Sequence, residues 1–367
     1  MAENPLAPFS FGASGVSLAA MTRLPESPLP MSLPVSLRGL VPAVLLALGL
    51  WALAPAAAAD CQGQDLIAAL PAAESAALRA RAGAEPFAEG NLWTATRGAA
   101  QITLVGTYHL DDPRHAETLA RLAPLVGAAS ALLVEAGPEE EKALMARVAA
   151  DPSTMFITEG PTLLERLPAA TWNRLSRALS ERGIPGFMAA KFQPWYATVI
   201  LAIPPCAMAN MAEPKGLDGM LIDTATAAGV PIKALEPYDT VFKLFGDMTE
   251  AQQIAMVDSS LATEDQAEDF AATLVAAYFR GESRLVWEMM RKMAHDAPGA
   301  DPAEVDAEFA VMEKALMEDR NRAWIPVIDA ASAEGPLVVA FGALHLSGRA
   351  GVLNLLAEDG WVLAPLR

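Results

Sequence analysis

The sequence predicts an α/β fold, a mostly parallel central sheet with flanking helices and a helical lobe inserted over residues 248–333. Three observations predict it. Short apolar runs rich in Val, Ile and Leu, at 102–105, 131–134 and 337–341, have the composition of strands covered on both faces, as strands of parallel sheets are. Segments with helix-start and helix-stop signals separate several of these runs, in strand, helix, strand order. One phrase is stated twice: Ile102, Thr103, Leu104 and Val105 run into Gly106-Thr107-Tyr108-His109-Leu110, and Leu337, Val338, Val339, Ala340 and Phe341 run into Gly342-Ala343-Leu344-His345-Leu346. Each copy reads as a strand ending in Gly-x-x-His-Leu. The glycine lets the backbone turn or approach a neighbour closely, so each histidine is delivered to a strand's C-terminal edge. Ligands of open α/β sheets bind at that edge.

Composition sets the bounds. The 367 residues are 53% hydrophobic and 19% charged, enough apolar material for one large core. A formal net charge of -18, with no Lys/Arg-rich run, disfavours nucleic acid and anionic membrane surfaces as partners. Residues 1–59 read as an N-terminal extension and signal peptide: Arg38 precedes an apolar, uncharged stretch at 40–53, and Pro55 and the alanines 56–59 follow, with cleavage freeing Asp60. The apolar stretch is short for a membrane span, so no stable membrane anchor is expected after cleavage. The expected compartment is periplasmic or extracellular, with one domain over 60–367. In such a compartment the two cysteines, Cys61 and Cys206, are a candidate disulfide; two unpaired buried thiols are the alternative.

An Ala-rich helix is expected over 64–82, then a hairpin of strands at 91–96 and 100–105 turning at Arg97-Gly98. Asp112-Pro113 offers an N-cap and a first-turn proline for a helix to about 127, with His115 in its exposed first turn. The strand at 131–134 ends in Glu135 and completes a βαβ unit. Helices are expected at 139–149, 163–167 and 170–182, and the apolar segment 192–203 should pack as a helix against the sheet. A helix opened by Gly216-Leu217-Asp218 and ended by Gly229 leads to a short strand, 231–235, tipped by Glu236. Helices fill 248–333, the last carrying Arg320, Asn321 and Trp324; the second copy of the phrase, a helix at 348–357 and a strand at 361–364 close the chain.

The sheet edge can thus present His109, Glu135, Glu236 and His345. Two neutral imidazoles and a carboxylate, here His109, His345 and Glu135, are a common ligand set for a divalent ion such as Mn, Co or Zn, leaving positions for water. Glu236 would act as general base or orient a ligating imidazole. The structural alternative is a pair of strand-end histidines bonded to carbonyls, with Glu236 capping a turn. A carboxylate directly after buried aliphatics, as at Glu135, needs a cation or donor in either case. His115 and His295 are not expected as ligands.

Together, Gly106-Thr107-Tyr108-His109, Glu135 behind Leu133-Val134, Gly216-Leu217-Asp218, Leu235-Glu236, Arg320-Asn321 and Gly342-Ala343-Leu344-His345 resemble the TraB/GumN family. That family includes the Tiki metalloproteases and is related in fold to the erythromycin esterases and ChaN-like proteins. The resemblance spans nearly everything after Cys61. It implies a compact parallel sheet with flanking helices, and a site built from the two Gly-x-x-His motifs, the glutamate matching Glu135, and the pair matching Arg320 and Asn321. It also implies divalent-metal-dependent peptide cleavage as in Tiki proteins; in that reading Arg320 and Asn321 would hold the substrate carbonyl or oxyanion. Two other readings stay open: an esterase or amidase in which a histidine activates water without a metal, and a protein that binds a peptide or polymer without turning it over. The expected partner of an enzyme is a peptide or small-molecule substrate.

Overall fold

The computed structural model describes residues 61–366 apart from 213–215, 247 and 298. The expected signal peptide lies outside the described residues. In chain order the helices are α1 (Leu66–Ala69), α2 (Ala72–Ala82), α3 (His115–Gly127), α4 (Pro138–Ala150), α5 (Leu163–Arg166), α6 (Ala169–Glu181), α7 (Gly186–Ala189), α8 (Pro194–Leu201) and α9 (Leu217–Ala228). They continue as α10 (Thr240–Gly246), α11 (Glu250–Ala262), α12 (Ala267–Phe279), α13 (Ser283–His295), α14 (Pro302–Glu313), α15 (Asp319–Ser332) and α16 (Val352–Glu358). The strands are β1 (Leu92–Arg97), β2 (Ala100–Thr107), β3 (Ala131–Val134), β4 (Ile232–Ala234), β5 (Leu337–Gly342) and β6 (Val362–Pro365).

Among the described residues the strands make one sheet of order β4-β3-β5-β2-β1-β6. The β2–β5, β3–β5 and β3–β4 pairs are parallel, and the β1–β2 hairpin and β1–β6 pair are antiparallel. The β2-α3-β3 crossover is therefore not a pair of neighbouring strands. β5, from the far end of the chain, lies between them.

Period-2 alternation explains why β5 takes the centre. Leu337, Val339 and Phe341 face Trp324 and Ile328 of α15 and Val352, Leu353 and Leu356 of α16. Val338 and Ala340 face Leu122 and Val126 of α3 and Leu217 and Leu221 of α9. Every residue from Leu337 to Phe341 is at most 2% exposed, so only a strand with helices on both sides could accept this run.

A second apolar cluster lies in the helices: α8 buries Ala197 and Leu201 against Leu175 and Leu179 of α6 and Val257 and Leu261 of α11. This corrects the expectation that 192–203 packs on the sheet. The segment is apolar on every side and finds helices, with the Trp195 ring stacked on Phe245 at 5.1 Å. Pro71 splits the expected 64–82 helix into α1 and α2, and the Asp65 carboxylate caps α1. Asp112 accepts hydrogen bonds from the backbone N–H and the side chain of Arg114, so α3 starts at His115. His115 is fully buried, against the expected exposed first turn. Its ring sits among Tyr108, Tyr278 and Phe279, with Nε2 3.1 Å from Leu110 O.

Cys61 and Cys206 form a disulfide with Cα atoms 5.2 Å apart. Among the described residues no helix is long and apolar enough to cross a membrane.

Candidate active site

The parallel register lines up four strand tips. Thr107 pairs with Gly342, and Val134 pairs with both Ala340 and Ala234. His109 beyond β2, the Gly342 to His345 turn beyond β5, Glu135 beyond β3 and Glu236 beyond β4 therefore stand side by side. Three of them meet at Gly342. A Cβ there would lie 3.3 Å from Glu135 Oε1, 3.5 Å from His109 Nε2 and 3.8 Å from His345 Cδ2, so hydrogen leaves room for three groups around one spot. The glycine of the first copy serves differently: a Cβ on Gly106 would meet the Leu346 side chain at 2.6 Å and Ala343 Cα at 3.0 Å. One copy of the phrase packs onto the other.

Arg320 of α15 ties the acids together. Its Nε and Nη2 donate to the two oxygens of Glu236 at 2.9 and 2.7 Å, and Nη2 also donates to Glu135 Oε2 at 2.6 Å. Nη1 donates to Leu316 O at 3.1 Å and faces His345 Nε2 at 3.2 Å. All five guanidinium N–H groups are thereby engaged. Glu236 takes a further hydrogen bond from the Trp324 indole at 3.1 Å, and Glu135 Oε1 accepts the Gly342 N–H at 2.6 Å. A lysine could not meet this geometry from one point.

His345 is held from its other side. Asn321 Nδ2 donates to Ala350 O at 2.9 Å, which turns Asn321 Oδ1 toward the ring, so His345 Nδ1 carries the hydrogen and donates to it at 2.6 Å. The Nε2 lone pair then points at Arg320. The ring also stacks on Trp324, with centroids 4.5 Å apart. His109 has the opposite setting: its side chain is 63% exposed, and Nδ1 makes a 3.2 Å ion-pair contact with Asp218 of α9. Apart from this ring, Asp218 Oδ1 has no partner among the described residues. Leu217 N donates to Tyr108 O at 3.0 Å, and Gly216 packs against the His109 backbone, so the start of α9 docks on the first copy of the phrase.

These surroundings set the charges. Burial pushes His345 down to about 4, and the cations Arg320 and His109 assist against the pull of Glu135. Burial would raise Glu135, but His345, Arg320, His109 and the Gly342 N–H outweigh it and bring the carboxyl to about 2; of these, Arg320 is charged at every ordinary pH. For His109 desolvation in the cleft pulls downward, and Asp218, with Glu135 behind it, overrides it and raises the ring to about 9. Water reaches most of this ring and screens those charges, so the direction is what matters: the proton is held past neutrality. Near pH 7 the site holds ionised Glu135, a neutral buried imidazole and a charged, accessible one.

All six residues expected from the sequence, His109, Glu135, Glu236, Arg320, Asn321 and His345, lie in this one constellation. Asp218 and Trp324 join it; the sequence placed Asp218 as a helix opener within a motif of the resemblance, without a role at the site, and Trp324 only as a helix passenger. His295 lies elsewhere, 2.9 Å from Asp306. The donors do not fit a divalent ion as arranged. His345 Nε2 faces a guanidinium, Glu135 Oε1 is bonded to a backbone N–H, and Arg320 supplies the positive charge that an ion would bring between the acids.

A family model described as the TraB/PrgY/gumN family matches residues 91–365, a stretch that contains every residue of the constellation. No curated protein matches the chain.

Proposed function

From the premise that the chain belongs to the TraB/PrgY/gumN family, we propose that it is a secreted or periplasmic hydrolase of amide or ester bonds, with His109 as its proton-transfer group. The observation that carries this reading is an accessible imidazole held by a carboxylate at the sheet edge, with Nε2 turned toward the space over Gly342. Neutral His109 takes a proton from a water molecule as the water oxygen adds to the substrate carbonyl carbon. Asp218 stabilises the imidazolium that results. The same proton then passes to the leaving nitrogen or oxygen as the scissile bond breaks, releasing an acid and an amine or alcohol.

Arg320 and Asn321 are assigned here to positioning, because their N–H groups are already spent within the protein. Arg320 fixes Glu135 and Glu236 and helps keep His345 neutral. Glu135, ionised and close to His109, favours the imidazolium.

Peptide and ester libraries assayed between pH 6 and 10 test the proposal. His109 is mostly protonated at pH 7, so kcat/KM should rise with pH toward 9. His109→Ala should cost about 10²-fold or more, and Asp218→Asn should move the inflection to lower pH. A chain that binds peptides without turnover, or a flat profile between pH 7 and 9, overturns the reading. Activity abolished by chelation and restored by Mn²⁺, Co²⁺ or Zn²⁺ would overturn its metal-free part.

A further inference from the structure

A groove of about 510 Å³ opens beside the constellation, between the first turns of α4, one face of α9 and the loop after β4. Its lining neighbours the site along the chain: Ala136 follows Glu135, Gly219 follows Asp218, and both line the groove. Its apolar lining is Leu144, Met220, Ile222 and Tyr238. Its charged lining is entirely acidic. Glu140 is already used, accepting the Gly137 N–H at 3.0 Å as part of the α4 capping box. The side chains of Glu141 and Asp223 have no hydrogen-bond or ion-pair partner among the described residues. A first-turn position explains Glu141 as a complement to the helix dipole, but Asp223 lies in the middle of α9, where that explanation fails.

We propose that this groove is a specificity subsite that takes a cationic side chain of a peptide substrate, its aliphatic stem on Met220, Ile222 and Leu144 and its charge between Glu141 and Asp223. The assignment rests on the hydrolase reading and adds a substrate class to it. An apolar stem ending in a charge is the shape of lysine and arginine, which bury their methylenes and keep the head in water. Two unpaired carboxylates on such a floor reject acidic ligands and favour basic ones. The net charge of -18 works in the same direction over longer range.

A fluorescently labelled peptide with lysine between two leucines, and its norleucine and glutamate replacements, are titrated by anisotropy onto the full chain and onto His109→Ala, in which turnover cannot deplete the probe. The lysine peptide should bind about tenfold more tightly than the norleucine peptide, and the glutamate peptide weakest. The double substitution Glu141→Gln with Asp223→Asn should erase the lysine preference and leave the norleucine peptide unchanged, as should about 0.5 M salt. Both side chains are surface groups, so a matching thermal melt shows that the fold is intact. Equal affinity for the lysine and norleucine peptides, or a lysine preference that survives the double substitution, overturns the subsite. Because binding is read on His109→Ala as well, an absence of turnover by the unsubstituted chain bears on the hydrolase reading alone.

Discussion

His109 and His345 stand in the same four-residue phrase, yet their surroundings give them opposite protonation. The difference lies in what each ring nitrogen meets: a carboxylate for exposed His109, a side-chain amide and a guanidinium for buried His345. Arg320 is therefore the residue whose loss reaches furthest. Arg320→Lys leaves three donors for five acceptor atoms and exposes partly buried carboxylates to incomplete pairing, so unfolding in urea should show a loss of about 3 kcal/mol. An unchanged urea midpoint would mean that Arg320 is dispensable to the fold. Acid should weaken the protein through two groups with lowered pKa values. The stability contributed by keeping His345 neutral is complete above its ordinary value of 6.5 and is lost as pH falls through about 4. The contribution of Glu135 is complete above 4.5 and is lost as pH falls through about 2. Urea midpoints measured from pH 8 to 3 should thus stay level at the alkaline end as far as these groups decide, and fall below about pH 6. His345→Gln should remove the upper part of that fall; a fall unaltered in the variant would assign it to other groups.

At the scale of elements, what was legible in the sequence is what local pattern encodes. The strand at 131–134, the hairpin, the helix from Leu217 to its glycine stop and the strand before Gly342 stand where their periodicity and punctuation place them. Strand order is a different kind of information. Nothing local in the 337–341 run says that it inserts between β2 and β3, because that choice depends on which helices cover its two faces. For the same reason the sequence could gather His109, Glu135 and His345 as strand ends but not reveal that Arg320 links the acids, since those hydrogen bonds cross 84 and 185 positions of chain. His115 misled because an imidazole in a first turn looks solvated; the rings of Tyr278 and Phe279 that enclose it come from α12. The docking of α9 on the first Gly-x-x-His copy gives an element-scale prediction. A Cβ on Gly216 would overlap the backbone of His109, and no side-chain rotation could relieve it. Gly216→Ala should push the start of α9 away, separate Asp218 from His109 and return the His109 titration toward its ordinary value, read by NMR of the imidazole protons. A His109 titration unchanged in Gly216→Ala would mean that the contact is slack.

For the whole molecule the disulfide is the long-range restraint that the hydrophobic clusters do not replace. Cys61 stands ahead of α1, and Cys206 lies 145 residues later, ten positions before Gly216. Its closure therefore ties the first described segment, which packs on α13 through Ile67, Leu78, Leu285 and Met289, to the stretch that leads into α9. In the chain-entropy picture a crosslink over so long a loop restricts the unfolded chain strongly, and removing a native disulfide costs about 2–5 kcal/mol. Cys61→Ser with Cys206→Ser, or a reductant such as dithiothreitol, should lower the urea midpoint by a corresponding amount. The substituted protein should itself be indifferent to the reductant. The sheet and the Arg320 network stand on parallel pairing and buried packing that the bond does not touch, so near-UV signals from Trp324 should persist in the reduced chain below its new midpoint. The effect on the site should come through α9: greater freedom at residue 206 reaches Asp218 before it reaches Glu135 or His345. Reduction should accordingly shift the pH dependence carried by His109 while leaving the acid limb carried by His345 in place. If both limbs moved together, the disulfide would be supporting the sheet edge as a whole, and the separate anchoring of the two histidines would be wrong.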